Sequence, residues 1–436
     1  MPRRLALTLA GMLVLVIAGR EPTTGPLPGG LAPSAAAPLR ETVLLALERE
    51  NGCTGDEETP GQGAWPDWRS ATIAGGDVPP ARVVSDPYPT LHSVVVDAAH
   101  ERVFMSDPNR HALWSYDRLA ASKGDAPVVP LTGIRGPSTG MMFIAAVTVD
   151  PEEREVYTVD NDIGDRLMVF PYDANGNVKP TRVLSVPHQA WGVSINRARD
   201  EIAVSVEAPR EVVIYKRTAT GTDPPLRIIR GPRTGLGDPH GVFFDGRNNE
   251  IVVANHGNQG GRLPQPARRC IAGEGGSDTI VGGRFDPPSI RVFAGDAKGD
   301  VPPLRTIAGP NTGLNWPMAL DVDLQHDEIV VANNGDSSIR FFRRSDEGNV
   351  AAARVIKGAL TGIRGPMGVA LDLKNDEVWV ANYGDHTALV FPRTGAGNIS
   401  PKRIIRNAPR GSPTVGFGNP GAVAYDSKRD EILVPN

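Results

Sequence analysis

Cysteine is nearly absent from this chain. Two in 436 residues, Cys53 and Cys270, make neither a zinc motif nor a haem-attachment motif, and they exclude a disulfide-framework fold. They are candidates for a single disulfide between the N-terminal extension and a distant loop, with two unpaired thiols as the alternative. Aromatic residues are sparse at 6%, and charged residues are 22% with acid and base interspersed and a net charge of −4. No basic cluster of the kind that tracks phosphates is present, so nucleic acid is not an expected partner. No H-E-x-x-H pair or Walker phosphate loop occurs, so neither a zinc-peptidase nor a P-loop grouping stands out. Only one long apolar run exists, Leu5 to Gly19, preceded by Arg3 and Arg4 and ended by Arg20, Glu21 and Pro22. It is too short to span a bilayer and reads as a cleaved signal peptide over 1–19, with export to the periplasm or outside as the expected destination. Arg20 stands where a lipoprotein signal requires cysteine.

Turn formers are abundant: Gly (49) and Pro (40) make up roughly a fifth of the chain, punctuating short Val- and Ile-rich runs. One phrase recurs seven times. It begins at Asp97, Asp150, Asn196, Asp245, Asp323, Asp372 and Asp426, as in DEVWVANYG and DEIVVANNG. Successive starts lie 53, 46, 49, 78, 49 and 54 residues apart. The 78 becomes regular if 257–286 is an insertion. A period near fifty with four apolar runs per unit predicts a β-propeller, with strand a ending at the phrase and strands b, c and d following.

Seven phrases predict an all-β, seven-bladed propeller over 70–436, following an N-terminal extension over 20–69 that contains a candidate short amphipathic helix at 38–53. The seventh unit stops after its strand b at Asn436. Upstream, GDVPPARVV (76–84) repeats the internal GDVPPLRTI (299–307). The N-terminal segment is therefore expected to supply the missing outer strands and close the ring, covering both edges. A Glu opens strand b at Glu155, Glu201, Glu250, Glu328, Glu377 and Glu431, and an Arg recurs in strand d at Arg82, Arg182, Arg227, Arg305, Arg354 and Arg403. The first unit has Arg102 and Val129 instead. This covariation predicts a repeated structural ion pair inside each blade.

Loops d–a and b–c share one face, called the top, where propeller sites are expected around the channel mouth. Five residues before each strand-a Asp or Asn the ring reads His92, Ala145, Trp191, His240, Met318, Met367 and Gly421. Of these, His92, Trp191, His240, Met318 and Met367, together with His256, are the candidate ligand-facing residues. Their imidazoles and thioethers are also donors of the type soft metals take, although channel-mouth packing is the plainer account. At the end of strand b stand Asp107, Asp160, Val206, Asn255, Asn333, Asn382 and Asn436. The oxygens of Asp107, Asp160, Asn255, Asn333 and Asn382 are candidate ligands for Ca²⁺ or another divalent metal; local Asx turns are the plainer account. The insertion carries Cys270 and four arginines (Arg262, Arg268, Arg269, Arg284) and is a candidate lid or docking loop.

The repeat P-x-G-V-A-x-D…D-E-I-x-V-A-N-x-G…I-x-x-F resembles the NHL and YVTN-type propeller repeats of exported bacterial proteins over about 70–436. The resemblance implies a fold shared by enzymes, binding modules and assembly subunits. The expected function is a scaffold that binds a protein partner or small ligand at its top face. One alternative is a metal-dependent hydrolase or lyase, as in the related gluconolactonase and regucalcin-like propellers. Those have six blades and hold a divalent metal through Glu, Asn and Asp, a set not matched here residue by residue. A second alternative is a subunit of a surface assembly.

Overall fold

The computed structural model describes residues 88–161, 164–207, 209–263, 279–412, 424–426 and 431–433. Cys53, Cys270, Gly421, Arg82, the segments 38–53 and 76–84, and the expected signal peptide lie outside them. Among the described residues there is no α-helix, and no helix is long and apolar enough to cross a membrane.

Six sheets of four antiparallel strands follow one another in chain order. Strands a are Val94–Asp97, Phe143–Asp150, Ala190–Asn196, Pro239–Asp245, Pro317–Asp323 and Pro366–Asp372. Strands b run Arg102–Asp107, Glu155–Asn161, Glu201–Val206, Glu250–Asn255, Glu328–Asn333 and Glu377–Asn382. Strands c are Ala112–Asp117, Arg166–Pro171, Glu211–Lys216, Ser289–Ala294, Ser338–Arg343 and Thr387–Pro392. Strands d are Thr132–Arg135, Arg182–Ser185, Arg227–Arg230, Arg305–Ala308, Arg354–Ile356 and Arg403–Arg406. The recurrent Asp closes strand a because its carboxylate accepts the amides of the following turn. Asp245 takes Arg247 N and Asn248 N at 2.9 Å, and Asp323 takes Gln325 N and His326 N at 2.9 Å. Strand b is buried on both sides, so it reads as a continuous apolar run, as in Ile251–Ala254 and Val378–Ala381. Apolar clusters between neighbouring blades form the core: Tyr157 and Leu167 pack with Ile202 and Val213, and Met105 and Trp114 with Trp379 and Val390.

The ring has six blades, not the seven expected. The c–d connection of each blade climbs along strand d of the blade before it, forming the parallel bridges Ile134↔Gly176, Leu184↔Gly221, Ile229↔Gly299, Ile307↔Gly348 and Ile356↔Gly397. The connection of blade 1 does the same to blade 6: Ser122 N donates to Ile404 O and Val128 N to Arg406 O, both at 2.8 Å. Tyr116 Oη donates to Asn407 Oδ1 at 2.5 Å. The buried Arg118 lies 3.5 Å from Asp372 and Glu377, repeating the backward reach of Arg217 to Asp150, Arg344 to Glu250 and Arg393 to Glu328. The joint that links every successive pair of blades therefore also links the last to the first. Among the described residues the seventh phrase forms the two-stranded pair Ala424–Asp426 with Glu431–Leu433, which belongs to the second of two compact units.

The repeated ion pair is present as fork-to-fork bonding across strand c. Arg182 holds Glu155 at 2.7 and 2.9 Å, Arg227 holds Glu201 at 2.8 and 2.7 Å, and Arg305 holds Glu250 at 2.7 and 2.8 Å. Arg354 with Glu328 and Arg403 with Glu377 complete the series. In blade 1 the residue in register with these arginines is Thr132, opposite Ser115, rather than Val129. Arg102 turns there to Asp173 of blade 2 at 2.7 Å.

Candidate functional site at the channel mouth

Six innermost strands converging on one axis leave little room between backbones. The residue after each ring position is accordingly small: Ser93, Ala146, Gly192, Gly241, Ala319 and Gly368. A Cβ on Gly192 would lie 2.4 Å from His240 O, so glycine is required where these strands touch. Pairing of strands a and b slips at the same level, between Ile144 and Ala146, Pro239 and Val242, Pro317 and Ala319, and Pro366 and Gly368. The slip in blade 3, between Val204 and Val206, falls opposite Trp191 and Gly192. A bulge re-aims the side chain it contains. Ala145, Trp191, His240, Met318 and Met367 each lie at one.

Those side chains meet. Ala145, Trp191, Met318, Met367 and Tyr383 form one buried cluster with Phe143 against it. A row of rings crosses it, with centroid separations of 5.8 Å (Tyr383–His92), 5.3 Å (His92–Trp191), 4.3 Å (Trp191–His240), 4.6 Å (His240–His256) and 5.2 Å (His256–Trp316). The row is buried from His92, 1% exposed, to His256, and ends on Trp316, which is 41% exposed. The ligand-facing residues expected from the sequence are therefore brought together at blades 1, 3, 4, 5 and 6. Met318 and Met367 pack in the cluster, and Met367 Sδ lies 3.1 Å from Asn334 Nδ2.

Burial pushes the His92 imidazole down to about 3 and the His240 imidazole down to about 4. For His92 a backbone bond to Ala145 opposes the fall and His240 adds to it; for His240 the Asp238 carboxylate opposes it and His256 adds to it. Both rings are therefore neutral at pH 7. His92 Nδ1 lies 2.8 Å from Ala145 O, so in the neutral ring this nitrogen carries the proton and donates. Its buried Nε2 is left as a lone pair with no hydrogen-bond partner among the described residues.

The strand-b Asp/Asn side chains are engaged in hydrogen bonds at the loops. Each side chain braces the d–a loop of its own blade. Asp107 Oδ1 accepts Thr90 N at 3.1 Å, Asp160 Oδ2 accepts Met142 N at 2.8 Å, and Asn255 Oδ1 accepts Gly237 N at 2.6 Å. Asn333 Oδ1 accepts Asn315 N at 2.7 Å and Asn382 Oδ1 accepts Arg364 N at 2.6 Å. These bonds reach seventeen or eighteen residues back, and Asp107 Oδ1 also accepts the local Arg110 N at 3.1 Å. Among the described residues the one group of three His, Cys, Asp or Glu side chains close enough to share a metal is Asp238, His240 and His256.

Asp238 and Trp316 escaped sequence reading. Both stand two residues before the ring position, in a column that also holds Gly365, and all three have positive φ (60°, 52° and 50°). Glycine fits such a site without strain, Asp tolerates it, and a bulky Trp does not adopt it readily. An aligned column with Gly in one repeat and Asp or Trp in others was the available signal. The d–a loops themselves repeat G-P-x-T-G, at 136–140, 231–235 and 309–313, in which Thr Oγ1 bonds back to the first Gly carbonyl. The insertion leaves blade 4 at Gly257 and returns at Asp286, whose N donates to Gly257 O at 2.8 Å. Within it Asn258–Leu263 pairs with Thr279–Phe285.

No family model matches the chain, and no curated protein does. Among solved structures the chain is similar to one in a crystal structure of a nidogen/laminin complex, at 12% identity and a TM-score of 0.43, covering 70% of this chain and 89% of that one. It is also similar to Kuenenia stuttgartiensis hydrazine synthase, at 12% identity and a TM-score of 0.48, covering 72% of this chain and 98% of that one. Likenesses of this size carry no functional argument.

Proposed function

We propose that the propeller is a binding scaffold whose working surface is the channel mouth on the side of blades 3 to 5. The observation that carries this is the ring row that starts buried at Tyr383 and His92 and surfaces at Trp316. Rigid strand ends hold imidazoles and indoles there, the mixture of apolar faces and few polar groups that small-ligand sites use. The occupant is a small ligand, or a side chain of a protein partner, with a flat apolar face to stack on Trp316 and a polar group to meet the histidines. The basic-then-apolar N-terminus supports export, and the repeat phrase supports the NHL/YVTN type.

A thermal-shift screen of flat carboxylates, amides and heteroaromatic compounds tests the reading. Hits should lose their shift in Trp316→Ala and His256→Gln and keep it in His326→Gln, on the opposite face. A screen without a mouth-dependent hit would sink the proposal. A second reading, a metal-dependent hydrolase or lyase, draws on the Asp238, His240 and His256 group, since three protein donors leave the open position that catalytic metals need. Six blades also remove the difference in blade number from the lactonase-like propellers. Turnover of ester or lactone substrates that stops in Asp238→Asn would favour it over simple binding.

A further inference from the structure

We propose that Asp238, His240 and His256 form a centre for one divalent transition metal of the zinc class, at the point where the mouth row meets the blade 4 loops. The inference rests on the mouth being the working surface, and deepens it by naming the first ligand. Two imidazoles and a carboxylate are borderline donors that suit zinc, cobalt(II) or nickel(II), and not the all-oxygen shell of calcium.

Three observations carry it. The donor atoms of the three side chains lie within 4.8 Å of one another. Asp238 Oδ2 is 3.1 Å from His256 Nδ1, and Asp238 Oδ1 is 3.5 Å from His240 Nδ1. Zinc bonds of about 2.0–2.1 Å in a tetrahedron set ligand atoms about 3.3 Å apart, so the Asp238–His256 separation is that of a tetrahedron edge, while His240 Nδ1 donates to Asp238 O at 3.0 Å and leaves Nε2 as the nitrogen that ring offers. Second, the buried His256 Nδ1 makes no hydrogen bond among the described residues, although the carboxylate oxygen is within reach. Close contact without hydrogen-bond alignment is what two ligand atoms aimed at a common third point display. Third, backbone bonds fix the loops that carry the donors. His256 N donates to Asp238 O and Gly257 N to Gly237 O, both at 2.9 Å. Asn255 braces Gly237 from beneath at 2.6 Å. The positive φ of Asp238 and the bulge at His240 then aim the two side chains. Asn255 thus becomes a positioning residue of this centre.

Titration of the full chain with zinc chloride by calorimetry, and with cobalt(II) by its visible absorption, tests the proposal. One metal per chain is expected, with a cobalt spectrum of low coordination number. His256→Gln and Asp238→Asn should each weaken binding by at least about a hundredfold, above the roughly tenfold to hundredfold cost of losing an outer-shell partner. His326→Gln should bind as the parent does, and near-UV circular dichroism of each variant checks that the ring is intact. Binding at other than one per chain, or unchanged in both variants, would overturn the centre. Loss of metal binding with organic ligands of the mouth still bound by the parent would remove the centre alone. Absence of both would remove the mouth as the working surface.

Discussion

Asp160→Asn is expected to stabilise the protein above neutral pH. Asp160 is fully buried at the end of strand b in blade 2, and burial lifts its carboxyl from 3.8 to about 7, against the pull of backbone amides from Met142 and Phe143. A folded-state pKa raised above the unfolded value means that the native state binds the proton more tightly. Stability is therefore lost as pH climbs from about 4 to about 7 and is flat beyond. At about 1.36 kcal/mol per pKa unit, a span of about three units sets an upper bound of about 4 kcal/mol at pH 8. Three other blades already show what the amide does. Asn333 and Asn382 keep the accepted amide and donate Nδ2 to Gly313 O and Gly362 O at 3.1 and 3.0 Å, and Asn255 accepts at the same place. In blade 2 the matching carbonyl is that of Gly140, and Asp160 Oδ1 has no hydrogen-bond partner among the described residues. The new bond adds about 1 kcal/mol. Urea denaturation of parent and variant from pH 4 to 8.5 reads the difference. It should rise with pH and level off above about 7. A difference that is flat across this range, or a variant less stable at pH 8, would refute the reasoning.

Arg227→Met should cost about 2 kcal/mol, because it leaves Glu201, whose side chain is 9% exposed, with Arg199 as its remaining partner and cuts the bond from Arg227 to Gly295 O of blade 4. Burial alone would raise Glu201, but Arg227 and Arg199 hold it below the usual carboxylate range. Its contribution is therefore present above the unfolded pKa and lost on acidification, and the variant's deficit in denaturant titrations should shrink toward pH 3. Trp316→Gly should keep or raise the melting temperature, since an L-residue in the left-handed region costs about 1–2 kcal/mol, while ligand shifts at the mouth disappear. Residues 85–412 expressed alone should melt cooperatively with native near-UV dichroism, because blades 1 and 6 carry their own joint. A closure that required the seventh phrase would leave this fragment unfolded.

The strands, the Asp-closed turns and the Glu–Arg pairs were legible because each is local or recurs at a fixed place in the repeat. Blade number was not, because counting phrases does not show which copies enter the ring. The deciding contacts, Ser122 to Ile404 and Tyr116 to Asn407, join segments nearly three hundred residues apart. Thr132 was missed for Val129 because blade 1 has a longer c–d connection that shifts the register. At the mouth, the ring of His92, Trp191, His240, Met318 and Met367 followed from repeat alignment alone. Its cooperation with Asp238 and Trp316 did not, since both depend on a positive φ and a bulge that redirect side chains. The loop-bracing bonds of the strand-b Asp and Asn residues were not legible, because oxygen ligands and loop braces need the same residue types.

Diffraction at the zinc absorption edge from crystals soaked in zinc tests most directly where the chemistry of this propeller lies. A single anomalous peak flanked by the Asp238 carboxylate and the His240 and His256 rings is the predicted result. No peak there, or peaks at Asp107 and Asp160 instead, would contradict the account.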